Sequence, residues 1–154
     1  MTAPLARRYL AMLVFALPHV AQATPPPPIF VELTPALIKE LGFEIQVSRR
    51  DGFSSVELAG PARIGDALHA HSTEVTTRDL KGRIRQFTRN GTRLTSPSVA
   101  SRFDHRQVDI SISIGYCEVP VQACVDYGLE SASAFIRKHA KPHPTVPGLE
   151  TWRP

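Results

Sequence analysis

Between Val108 and Tyr116 the chain alternates residue by residue. Val108, Ile110, Ile112 and Ile114 fall on one side, and Asp109, Ser111, Ser113 and Gly115 on the other. Successive side chains of an extended strand point to opposite faces, so this stretch suits a sheet with one face buried and one wet. Weaker versions of the pattern recur. Phe43, Ile45 and Val47 alternate with Glu44, Gln46 and Ser48, Arg50-Asp51-Gly52 supplies a hairpin turn, and Phe53 to Ala59 returns as the partner. Ile29–Leu33, residues 67–77, 82–88 and 92–95, and Cys124–Leu129 read as further strands, with Asn90-Gly91 as the hairpin turn between 82–88 and 92–95. Ser131 to Ile136 reads as a closing helical turn or a last strand. Thr34 to Gly42 reads as a two-turn helix, with Thr34 as N-cap, Pro35 at the first helical position and Gly42 as the stop. The expected fold class is mainly β: an antiparallel β-sandwich of about seven or eight short strands with one short N-terminal helix.

Arg7 and Arg8 precede an apolar run from Tyr9 to Leu17, and Ala21-Gln22-Ala23 follows. This is the layout of a secretory signal peptide, with cleavage expected after Ala23. The run is about half the roughly 20 residues of a membrane-crossing helix, so no membrane span is expected in the mature form. Four prolines, Pro25 to Pro28, form a stiff leader over residues 24–28. Residues 29–136 form the expected β-sandwich domain. Residues 137–154 contain four prolines and few aliphatic residues. They read as a basic tail without a core of its own, expected to be disordered, with docking along the domain surface as the alternative. The expected location is periplasmic or secreted.

Export decides how the two cysteines are read. Cys117 and Cys124 are the only pair, separated by a short segment containing Val119-Pro120. In an oxidising compartment such a pair is most simply a disulfide, worth about 2–3 kcal/mol for so small a ring in the loop-entropy model. A redox pair would have the tighter Cys-x-x-Cys spacing, and a metal site would need further soft ligands.

Three groups of residues invite a chemical reading. His69 and His71 share a face if residue 70 lies in a regular strand, which would let both imidazoles reach one Cu²⁺ or Zn²⁺; Asp66, Glu74 and His105 are the nearest candidates for the missing ligands. Asp104-His105 with a serine could be read as a hydrolase triad, but there is no Gly-x-Ser-x-Gly elbow, and adjacency in sequence is not triad geometry. Tyr116, Tyr127 and Trp152 are too few and too scattered for a sugar-stacking platform.

Charge is the more telling signal. Residues 78–106 hold eight arginines and lysines against two acids, whereas residues 107–136 hold four acids and no base. Arg83, Arg85 and Arg89 share a strand face with Phe87, and Arg93 follows, giving a candidate anion-binding stripe. The opposing reading is an outer face neutralised by acidic neighbours. The functional expectation is an exported, non-catalytic binding or accessory component of the cell envelope that contacts an anionic surface through this basic hairpin. The partner would be an envelope protein or an anionic envelope polymer, with no cofactor. Nucleic acid is not expected, since no reader motif is present. The alternative is a Cu/Zn-binding periplasmic protein using His69 and His71.

Overall fold

The computed structural model describes residues 26–91, 93–121 and 123–154. The expected signal peptide, its cleavage site and the first residues of the proline leader lie outside them.

Strand β1 (Ile29–Glu32) leads into helix α1 (Pro35–Leu41), followed by β2 (Glu44–Arg50), β3 (Phe53–Ala59) and the short β4 (Arg63–Ile64). The long β5 (Leu68–Asp79) turns back into β6 (Ile84–Asn90), and β7 (Ser98–Asp104), β8 (Val108–Glu118) and β9 (Cys124–Leu129) follow. Then come α2 (Ala132–His139), β10 (Lys141–Pro142) and β11 (Glu150–Trp152). One sheet runs β1-β9-β8-β5-β4, with β6 also paired to β5; the other runs β10-β11-β2-β3-β7. Every pairing is antiparallel except β1 with β9. The two sheets pack face to face, so the mainly-β sandwich holds. The first helix follows a strand instead of leading the fold, and there are two helices among the described residues.

Local chemistry accounts for the elements the sequence marked most clearly. The Thr34 side chain accepts a hydrogen bond from the Leu37 amide at 3.3 Å, and Gly42 closes α1 at φ 76°, a conformation that glycine adopts without steric cost. Asp51 and Gly52 both take positive φ, 51° and 82°, as a tight hairpin turn of matching twist requires. Strand β8 contributes Ile110, Ile112, Ile114 and Tyr116 to the interior, against Ile45, Val47, Val56 and Leu58 of the facing sheet. Each such side chain contributes about 1.5–3 kcal/mol on burial.

Cys117 and Cys124 are opposite each other at the end of the β8–β9 ladder and are joined in a disulfide, S–S 2.05 Å. The loop between them carries a cis Val119–Pro120 bond.

Two expectations need correction. Asn90-Gly91 is not a hairpin turn. The amides of Gly91 and Leu94 donate to the carbonyls of His71 and Ala70, so this segment continues along β5 before crossing to β7. The turn that makes the hairpin is residues 80–83, where the Asp79 carboxylate accepts from the amides of Lys81 and Arg83 at 2.9 Å each. A carboxylate that caps its own turn, with Gly82 at φ 75°, does the work that an Asn-Gly pair does elsewhere. The second correction concerns residues 137–154, which are ordered by the domain. Helix α2 runs to His139, and β11 pairs with β2. Trp152 stands opposite Val47 with its ring edge-on to Phe135 at 5.0 Å. One large aromatic and the Arg49–Glu150 ion pair at 2.5 Å replace the aliphatic residues the segment lacks.

Candidate functional site: a basic hairpin

Strand β6 pairs with β5 along one side, and all seven of its residues are exposed. Its register fixes which side chains share a face. Arg85 is opposite Thr77, Phe87 opposite Val75 and Arg89 opposite Thr73, so Arg85, Phe87 and Arg89 form the stripe read from the sequence. The opposing positions are two threonines and a valine. Of the two acids of β5, Glu74 lies on the other face, where Gln86 donates to it at 2.7 Å, and Asp79 lies on this face at the turn. Among the described residues no carboxylate comes within 4.0 Å of Arg85, Arg89 or Arg93, and Arg83 pairs with Asp79 at 2.6 Å. Neutralisation by an acidic neighbour, the ordinary fate of a surface charge, thus reaches Arg83 but not Arg85 or Arg89 among the described residues.

The remaining candidates are distributed as follows. Arg83 belongs to the turn and Arg93 to the segment after β6, both exposed. His69 is opposite Cys117, and His71 is the extra residue of a β-bulge, where the pairing steps from Ala70–Tyr116 to Ser72–Gly115. The bulge breaks the strict alternation on which a shared histidine face depends. Among the described residues no group of three or more His, Cys, Asp and Glu side chains gathers around a possible ion. Cys117 and Cys124 are occupied by their bond.

Asp104 does not orient His105. Its carboxylate takes two hydrogen bonds from the Arg106 side chain at 2.9 Å, which hold it down to about 2. His105 Nδ1 bonds instead to Ser54 Oγ at 2.9 Å, and Ser54 is 2% exposed in the sandwich interior, out of reach of a substrate. Tyr116 is fully buried, donates to the Pro61 carbonyl at 2.9 Å and packs with Phe43 and Tyr127. Burial pushes its hydroxyl well above the ordinary tyrosine range, and its role is in the core.

Sequence reasoning placed Phe87 on the stripe but missed the exposed aliphatic residues Leu80 and Ile84 at the tip of the hairpin. Leu80, Ile84 and Phe87 are 83%, 58% and 63% exposed, interleaved with Arg78, Lys81, Arg83, Arg85 and Arg89. An open recess of about 480 Å³ at the turn is lined by Thr77, Lys81, Arg83, Arg85 and Gln107 among others. The signal was present in Leu80 itself, an aliphatic residue in a turn, but it could be read only once the turn was located. No protein-family model, curated protein or solved structure matches this chain.

Proposed function

We propose that this chain is an exported, non-catalytic β-sandwich protein that serves as a binding or accessory component of the cell envelope, contacting an anionic surface through the β5–β6 hairpin. The observation that carries the reading is the unneutralised pair: Arg85 and Arg89 stand on an exposed strand opposite Thr77 and Thr73, with no carboxylate among the described residues within 4.0 Å. Guanidinium groups held on a rigid ribbon attract phosphates, sulfates or carboxylates from a distance and bind them bidentately on contact. The hairpin is braced by its own turn and by the ladder to β8, so the cations are presented in a fixed array. Export is supported by the basic and apolar N-terminal pattern and is compatible with the Cys117–Cys124 disulfide.

Chromatography on a dextran sulfate matrix tests it. The protein should be retained and eluted by salt, and the pair Arg85→Glu and Arg89→Glu should elute at clearly lower salt. The pair Arg102→Glu and Arg153→Glu, on the outer face of the other sheet, should elute with the wild type. Wild-type elution of the hairpin variant would put the contact elsewhere.

A further inference from the structure

We propose that the surface met by this hairpin is a lipid bilayer with anionic head groups, which Leu80 and Ile84 enter while Lys81, Arg85 and Arg89 rest on the phosphates. The proposal rests on the reading of the hairpin as an anion contact and adds to it the nature of the anion's carrier. A soluble polyanion would ask only for charge. Here the turn also exposes aliphatic surface that no internal bond requires: every bond that shapes residues 79–83 comes from backbone groups or from Asp79, so a polar residue at position 80 would serve the fold as well.

The backbone at the tip is prepared for a medium poor in water. The Asp79 amide donates to the Arg83 carbonyl, that of Leu80 to Gln107, that of Gly82 to the Asp79 carbonyl, and those of Lys81 and Arg83 to the Asp79 carboxylate. Five successive N–H groups are thus satisfied within the protein, which removes the donor share of the cost of lowering a loop toward hydrocarbon. The Asp79 carboxylate and the Arg83 guanidinium are paired at 2.6 Å and cancel, so the contact with phosphates falls to Lys81, Arg85 and Arg89. Ile84 is opposite Arg78 on the first rung beyond the turn. Phe87 lies three residues farther along, about 10 Å, at the depth of the head groups when Leu80 points inward. The recess at the turn, lined by Lys81 and Arg85 together with the Asp79–Arg83 pair, faces the same end.

Self-association is the other use of a free strand edge. Antiparallel pairing of two β6 strands centred on Phe87 would bring Arg85 of each copy opposite Arg89 of the other, and like charges directly opposed destabilise a ladder.

The test is co-sedimentation with vesicles of phosphatidylcholine alone and of phosphatidylcholine mixed with phosphatidylglycerol, beside binding to soluble dextran sulfate. Wild type and variants are compared as residues 24–154, without the expected signal peptide, so differences report the hairpin. The protein should partition onto the mixed vesicles in preference to the neutral ones. Leu80→Ser with Ile84→Ser should lower that partition by about 10-fold or more while leaving dextran sulfate binding unchanged. Arg85→Gln with Arg89→Gln should lower both, by about 30-fold on vesicles at about 1 kcal/mol per cation. Circular dichroism confirms that each variant is folded. Equal partition of the serine variant and the wild type overturns the bilayer inference and leaves the anion reading standing. Failure to bind either vesicles or dextran sulfate overturns both.

Discussion

Asp104 shows how a single side chain at the surface can set a pH response. The Arg106 side chain, and after it the Arg106 amide, hold the carboxyl down to about 2. A carboxylate lowered in the folded state stabilises fully above its unfolded value and loses that contribution as pH falls through the folded one. Between about pH 4 and pH 2 the protein should therefore lose stability through Asp104. Asp104→Asn should flatten that part of the curve; thermal unfolding of both proteins across this range measures it, and superimposable acid limbs would refute the assignment. Asp126 shows the opposite sign: burial, and then Glu74, raise its carboxyl above the usual range, so its ionised form weighs against the fold at neutral pH. The backbone beside it is equally constrained. A side chain at Gly128 would run into the Ile112 carbonyl and Ser113, so this ladder position admits only glycine without a backbone shift.

At the scale of elements, the C-terminal segment carries the clearest consequence. Phe135, His139 and Trp152 form one aromatic cluster between α2 and β11. Trp152→Ala should destabilise the domain by about 3 kcal/mol, toward the low end for a large aromatic because the ring is only half-buried. Urea unfolding measures this, and an unchanged midpoint would mean that the segment merely rests on the surface. The elements that could be read beforehand were those whose signal is local. Strand β8 showed strict alternation, α1 had a cap at each end, and Asp51-Gly52 turned β2 into β3. Strand β7 had no such signal: only Val99 and Phe103 of its seven residues are large and apolar, and it is held by register with β3. The partner of β6 was misread because Asn90-Gly91 outweighs Asp79-Leu80-Lys81-Gly82 as a dipeptide cue, while the capping power of Asp79 depends on where its carboxylate reaches. Trp152 was legible as a residue but not as an anchor, since its pocket is made by chain more than a hundred residues away at Val47.

Across the whole molecule the charge is sorted by strand. Six of the eight basic residues of 78–106 lie on or beside the β5–β6 hairpin, with Arg102 on β7 and Arg106 in the turn after it, and the acids of 107–136 sit on β8, β9 and the approach to α2. The sequence placed Arg83, Arg85 and Arg89 on one strand face with Arg93 after it; in the structure Arg85 and Arg89 share that face, Arg83 belongs to the turn and Arg93 follows the strand. What the sequence could not show was the absence of opposing acids and the exposure of Leu80, Ile84 and Phe87, because both depend on which strand lies alongside. The most direct measurement is amide chemical-shift mapping of the ¹⁵N-labelled protein during titration with dextran sulfate. Shifts concentrated in residues 79–90, fading as salt is raised, are the predicted result. Shifts confined to the outer face of the other sheet around Ser55 and Arg102, or to His69 and His71, with the hairpin unmoved, would contradict it.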